Sequence, residues 1–401
     1  LGDEKLSSQR LKQEEKLVYD LIVVGAGPAG SSAARAAARE GLQVLILEKE
    51  SFPRYKPCGG AFSEKARSLL EFEIPKEICE RVITGARVHY RDRAIEIHKG
   101  YPLSTLVTRS RFDAFLLQQA LGAGALLEVE KAMAYEEKEG CVIVKGEKKS
   151  YTSRFLVVSS GCQDGLGKGI GSEGARPRGL CLVTEVEAND EEIERHPHNT
   201  LDIHFGVAPR GYGWVFPHRG YYSVGIGGLM GCFSHPRKAM LEFLRGQGFA
   251  EEQRIHGHLL PFGDGRRRIA SKRVLLAGDS AGFVDAFTGE GICYALRSGQ
   301  IAGKTVAEGL YDGYDAASVY QARCWADFGE ELRYAYILAR IMHSRPELFF
   351  PILISQREAL DKFLGIAAAK TSYKEFLRWL VPRLPSRALR ALWRAGIKNI
   401  R

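Results

Sequence analysis

Over the first half of the chain, short apolar runs that stop at glycine alternate with stretches of helical spacing. Residues 21–24 form a buried-strand run that feeds into Gly25-Ala-Gly-Pro-Ala-Gly30. Residues 31–40 are alanine-rich and helical up to Gly41, and residues 43–47 form a second strand run ending at Glu48. A loop over 52–60 with Pro53, Pro57 and a glycine pair precedes a predicted helix over 63–70. Helical spacing returns at 110–120 through Phe112, Phe115, Leu116 and Ala120, and a strand over 154–159 stops at Gly161. Between 180 and 228 the pattern changes to alternation broken by turns, with strands expected at 182–186, 201–205, 212–216 and 222–226. A helix over 239–246, a strand over 273–277 and a helix over 290–309 follow, and beyond them nearly everything reads as helical. This order predicts an α/β chain in which a Rossmann-type nucleotide-binding domain is assembled from separated pieces (17–60, 104–172 and 254–310). An antiparallel-sheet substrate domain (61–103 and 173–253) is inserted, and a helical region (311–401) closes the chain.

A G-x-G-x-x-G turn alone is a weak signal. Here it follows a strand, opens a helix and is followed by Glu48, the combination a dinucleotide site requires. Gly25 permits the tight turn, Gly27 lets the backbone approach the pyrophosphate, and Gly30 lets helix and strand pack closely. The helix N-terminus offers unpaired N–H groups and a positive dipole end, and Glu48 is placed to accept hydrogen bonds from a ribose. FAD and NAD both fit this pattern. A second segment, VLLAGDSAG (274–282) continuing to Thr288-Gly-Glu-Gly-Ile292, decides for FAD. A strand ending in Gly278-Asp279 presents a carboxylate to a ribityl hydroxyl, and a helix opening near Gly289 aims its dipole at a flavin that gains negative charge on reduction.

GAGPAG together with GDSAGFVDAFTGEGICYALRSG resembles the para-hydroxybenzoate-hydroxylase-type flavoproteins, whose nucleotide domain is glutathione-reductase-like. FPRYKPCGG (52–60), TRSRFDAFLLQQA (108–120) and PRGYGWVFPHRGYYSVGIGG (209–228) resemble the geranylgeranyl reductase branch of them, whose Tyr-x-Trp-x-Phe-Pro element is intact as Tyr212, Trp214, Phe216 and Pro217. The resemblance implies an FAD enzyme that saturates carbon–carbon double bonds of isoprenoid chains on a lipid or diphosphate, drawing electrons from NAD(P)H or a ferredoxin-like donor. It also implies that Arg109 contacts flavin and that Cys58 lies beside it. The cofactor-binding candidates are Gly25, Gly27, Ala29, Gly30, Glu48, Lys49, Arg54, Cys58, Gly59, Gly60, Arg109, Gly161, Gly278, Asp279, Gly289, Gly291 and Ile292. Two departures stand out. Ser159-Ser160-Gly161 replaces the Asp-Gly pair of the hydroxylases, which argues against a pyridine-nucleotide-driven hydroxylase. Ala286 replaces a proline, which predicts a less rigid or reshaped loop beside the flavin.

Positions 212, 214 and 216 share one face of a strand, so Tyr212, Trp214 and Phe216 form an apolar wall suited to a polyprenyl chain; a half-buried core strand would show the same alternation. Alkene reduction takes a hydride and a proton, and Cys58 and Tyr212 are the candidate proton donors, with Trp214 counted among the catalytic residues. Cys58 also reads as an ordinary buried thiol. An FAD monooxygenase or halogenase, and a prenyl-lipid carrier without catalysis, are the competing readings.

Composition adds exclusions. The eight cysteines and ten histidines show no ligand spacing, so neither a disulfide framework nor a metal is expected. No apolar run reaches membrane-span length, the best being broken by Arg340 and Pro351. The charged first eighteen residues do not read as a secretory signal, and a cytoplasmic location is expected. Seven basic residues from Arg378 onward, with no acid among them, account for all but +2 of the net charge of +9. After Pro385 they alternate with Leu389, Leu392, Trp393, Ile397 and Ile400 as a basic amphipathic helix. That pattern suits peripheral contact with an anionic membrane, or a docked terminal helix with a solvated arginine face. Nucleic-acid binding is not expected, since no recognised module accompanies the charge.

Overall fold

The computed structural model describes residues 18–163, 165–170, 178–195, 199–262, 267–384 and 386. The basic segment after Pro385 lies outside the described residues.

Val18–Val24 is buried along its last four residues, as expected of a strand covered on both faces, and it sits centrally in an eight-stranded sheet. Val44–Glu48 and Ser150–Val158 flank it in parallel; Leu126–Val129 and Val274–Leu276 extend the parallel set outward. Ala270–Ser271 adds an antiparallel edge, and the hairpin Ala132–Glu137 with Val142–Gly146 hangs from Ser150–Val158. Pro28–Arg39 starts with proline in its first turn and turns an alanine face to the core, where it meets Ile292–Asp312. Strands from residues 18–48, 126–158 and 270–276 thus share one mixed sheet with a parallel centre.

The second sheet has seven strands, in the order His256–Pro261, Arg178–Glu187, Tyr221–Leu229, Tyr212–Pro217, Thr200–Phe205, Gly85–Tyr90 and Arg93–His98. It departs from the expectation in two ways. Thr200–Phe205 pairs with Gly85–Tyr90 in parallel, because these strands come from different chain segments rather than from a hairpin. His256–Pro261 pairs with Arg178–Glu187, so the boundary at 254 cuts off a strand that belongs to this sheet.

The helix expected over 63–70 is a single turn, Glu64–Arg67, capped by the Ser63 hydroxyl accepting from Ala66 N–H; the preceding residues Ala61–Ser63 are extended and paired with Ser104–Val107. Among the described residues, five α-helices, Ala316–Cys324, Glu330–Ser344, Pro346–Ser355, Arg357–Ala367 and Tyr373–Leu380, build the C-terminal region. Phe349, Phe350, Leu360 and Phe376 from these helices share an apolar cluster with Ala86, Val88 and Phe205 of the second sheet. That packing brings the helical region against the sheet and encloses the space between them.

Candidate active site

One cavity of about 610 Å³ runs from the glycine turn to the helical region. At its first end, the turn is shaped by exclusion. A Cβ on Gly30 would overlap the Gly25 carbonyl oxygen, while Gly25 itself takes φ +95°, which favours glycine. Gly27 caps the helix without a side-chain acceptor, so the first-turn N–H groups are free to face a ligand. Glu48 is 5% exposed and accepts N–H from Ala26 on Oε2 (2.8 Å) and from Glu50 on Oε1 (3.2 Å); a carboxylate has lone pairs left over for hydroxyl donors.

Next along the cavity is a charged middle. Arg109 donates to Asp113 from Nε and Nη2 (2.8 and 2.9 Å), and Arg54 lies 3.4 Å from the same fully buried carboxylate. Burial pushes the Lys56 ammonium down, against the pull of Asp279. Burial would raise the Asp279 carboxyl, but His258, 3.6 Å away, and the charges of Lys56 and Arg109 hold it below the usual range. Arg54, Lys56 and Arg109 against Asp113 and Asp279 leave one positive charge beside a helix N-terminus, which fits a diphosphate. Ser159 in place of the hydroxylase Asp has a structural use here: its hydroxyl donates to the carbonyls of Val24 and Gly25 at the turn (2.8 and 3.0 Å).

The far end is apolar. Tyr212, Trp214 and Phe216 face the cavity from one side of their strand, joined by Leu201, Ile203 and Phe205 from the neighbouring strand and by Phe363 and Ile366 from Arg357–Ala367. The loop at 285–290 bounds this end. Asp285 Oδ1 accepts N–H from Phe287 and Thr288 (2.7 and 2.8 Å), and Tyr373 donates its hydroxyl to Oδ2 (2.6 Å). Burial outweighs these bonds and raises the Asp285 carboxyl. Beside Ala286, the buried Asp285 staples this loop to a helix distant in sequence. Tyr212 donates its hydroxyl to the Thr288 carbonyl, and burial raises its pKa strongly, so its proton is held rather than offered.

Of the residues expected from the sequence, Gly25, Gly27, Ala29, Glu48, Lys49, Arg54, Cys58, Gly59, Gly60, Arg109, Gly161, Asp279, Gly289, Gly291, Ile292, Tyr212, Trp214 and Phe216 line this one cavity. Gly30 and Gly278 pack behind it, and Pro217 faces away because it has the opposite parity to 212, 214 and 216. Sequence reasoning missed Lys56, although it lies between Arg54 and Cys58 in a loop already singled out. It also missed His258, Glu130 and Glu290. Away from the cavity, His89, Asp202 and His204 bring ligand-type atoms within 4.8 Å of one another. The two imidazoles stack at 4.1 Å and 6°, so their in-plane lone pairs lie in parallel planes instead of converging.

The family model for FAD dependent oxidoreductases matches residues 20–143. The digeranylgeranylglycerophospholipid reductase of Methanocaldococcus jannaschii is 25% identical, the match covering 92% of this chain and 96% of that one. The chloroplastic geranylgeranyl diphosphate reductase of Arabidopsis thaliana is 27% identical over 77% of this chain and 68% of its own. Among solved structures, a geranylgeranyl bacteriochlorophyll reductase-like protein from Thermoplasma acidophilum superposes with a TM-score of 0.73 at 20% identity, over 94% of this chain and 96% of that one. A flavin-dependent brominase reaches 0.68 at 19% identity, over 88% and 94%, and at such identities the structures show the fold alone. The chain is an FAD-dependent oxidoreductase. Within that class, the curated relatives it is similar to include geranylgeranyl-type reductases, at 25 and 27% identity.

Proposed function

We propose that this enzyme saturates carbon–carbon double bonds of an isoprenoid chain carried on a lipid or a diphosphate. The observation that carries the proposal is the apolar arm of the cavity, continuous with the flavin end and walled by Trp214, Phe216, Phe205 and Phe363. A hydrocarbon chain offers such a wall area and dispersion, at about 25 cal/mol per Å² of buried apolar surface, and little hydrogen bonding. The identities with named geranylgeranyl-type reductases support the same reading.

FAD, when bound, supplies the hydride in its reduced form. Gly25, Gly27 and Glu48 would hold its adenosine diphosphate portion, Arg54, Lys56 and Arg109 its phosphates, and Asp279 its ribityl chain. The chain's own residues align the alkene and keep water away. Tyr212, tied to Thr288, fixes the edge of the arm, and Trp214, 6% exposed, donates Nε1–H to Ser223 (3.3 Å), which locks the indole plane. With the Tyr212 proton committed, Cys58 is the proton donor of choice, its sulfur lying on the cavity wall and accepting N–H from Gly60 (3.4 Å). The basic C-terminal segment would keep the enzyme at an anionic membrane where such substrates reside.

The test uses dithionite-reduced enzyme under anaerobic conditions, so that it does not depend on whether NAD(P)H or a ferredoxin-like protein is the natural donor. Adding a geranylgeranyl lipid or diphosphate should reoxidise the flavin and raise the substrate mass by two hydrogens per double bond. No reoxidation with any prenyl compound, or a hydroxylated product formed under air with NAD(P)H, would overturn the proposal.

A further inference from the structure

Behind the Cys58 loop lies a buried polar chain that the chemistry above does not use. His218 follows directly on the aromatic strand, and Glu80 lies on Cys79–Ile83; their side chains are 1% and 6% exposed. His218 Nε2 is 3.0 Å from the Gly59 carbonyl oxygen. A carbonyl oxygen only accepts, so Nε2 carries a proton. Nδ1 lies 2.6 Å from Glu80 Oε2, and the Thr108 hydroxyl donates to Glu80 Oε1. Tyr221 stacks on the imidazole at 4.5 Å, with its hydroxyl 3.2 Å from Thr108 Oγ1. Thr108 spends its proton on Glu80 and can accept from Tyr221, whose hydroxyl also lies 3.0 Å from His218 Nδ1, so the four side chains close on one another. Burial would raise the Glu80 carboxyl, but the hydrogen bonds from His218 and Thr108 and the His218 charge outweigh it, and the net displacement is downward. The imidazole thus bridges the Glu80 carboxyl on one side and the Gly59 carbonyl on the other.

This chain ends on a backbone carbonyl, which has no proton to pass into the cavity, so its effect is geometric. Its members join three segments that carry site residues: the loop with Cys58, the strand with Trp214 and Phe216, and Thr108, which directly precedes Arg109. On the opposite side the loop abuts the aromatic wall. A Cβ on Gly59 would lie 3.0 Å from the Phe216 ring and 3.1 Å from Trp214 Nε1, and one on Gly60 would lie 2.5 Å from His218 Cε1. The loop is held between one indole and one phenyl ring on one side and one imidazole on the other.

We infer that His218, anchored by Glu80 on Nδ1, is the positioning residue that fixes the Cys58–Gly59–Gly60 backbone against the flavin ring. The inference shares the site of the proposed reaction but not its substrate.

The experiment compares full-length wild type, His218→Ala, His218→Gln and Glu80→Gln. Three readouts are taken: FAD affinity by fluorescence quenching, the flavin midpoint potential, and the rate of iodoacetamide alkylation of Cys58 in the apoprotein, followed on its peptide by mass spectrometry. His218→Ala should weaken FAD binding and speed Cys58 alkylation, each about tenfold, and displace the potential. His218→Gln, whose amide N–H can reach the same carbonyl, should recover most of both, with Glu80→Gln falling between. A folded His218→Ala protein with all three readouts unchanged overturns the inference, as does a His218→Gln protein no better than His218→Ala. Should His218→Ala not fold, the other two variants decide: Cys58 alkylation near wild type in His218→Gln and faster in Glu80→Gln supports the role, and equality or the reverse order refutes it. None of these readouts uses a prenyl compound, so failure of the reoxidation assay and failure of this inference are separable.

Discussion

The two ends of the cavity are built by opposite means. At the nucleotide end, backbone amides, a bare helix terminus and a few buried charges do the binding, and almost every group comes from a turn between a strand and a helix. At the apolar end, no backbone group is called on, and the wall is made of side chains from two neighbouring strands and a helix distant from them in sequence. The first end tolerates no added atom at Gly25 or Gly30, whereas the second can lose a side chain and remain a cavity. Substitutions should therefore separate the two ends cleanly.

The largest effect is expected for Gly30→Ala. Its Cβ would overlap the Gly25 carbonyl oxygen, so the turn must open, and the purified protein should lack flavin absorbance. A Gly30→Ala protein that retains FAD at wild-type affinity would break the contrast. Trp214→Ala should instead keep its FAD while losing about 3 kcal/mol of stability in urea unfolding, together with a raised KM for the prenyl substrate. Tyr373→Phe leaves the buried Asp285 carboxyl with its two backbone donors only. It should cost about 2 kcal/mol, read by thermal unfolding, with FAD affinity unchanged.

The smallest effect concerns the back of the strand whose other face lines the apolar arm. Burial, and then the neighbouring His89, lower His204 from 6.5 to about 4, so the folded state holds it neutral while the unfolded chain protonates it. Its contribution is complete above pH 6.5 and is lost as pH falls toward 4, amounting to about 1 kcal/mol between pH 7 and pH 5.5. Unfolding of His204→Phe measured at both values should lack that part of the pH dependence.

The contrast also explains what could be read from the amino-acid order. The glycine turn, Glu48 and the Gly278-Asp279 segment were legible because each is a local backbone arrangement with its own composition. The alternation of Tyr212, Trp214 and Phe216 was legible because a strand repeats every two residues. The inward helix carrying Phe363 and Ile366 was not, since nothing in its own spacing says which strand it will cover. The Asp285–Tyr373 staple joins positions 88 apart, and nothing in the segment around Ala286 announces that distant partner. His218 and Glu80 are 138 residues apart, and each by itself looks like a surface residue.

The parallel pairing of Thr200–Phe205 with Gly85–Tyr90 has a consequence for how the molecule is made. During synthesis, the hairpin of Gly85–Tyr90 with Arg93–His98 can form early, yet its other edge has no partner until residue 205 has left the ribosome. The nucleotide-binding strand Ser150–Val158 emerges in that interval and can already pair with Val18–Val24. The nascent chain is thus expected to pair the first strands of its nucleotide sheet while it carries an open β edge, and to complete that sheet only once Val274–Leu276 and Ile292–Asp312 have followed; until then chaperones would matter most to its yield.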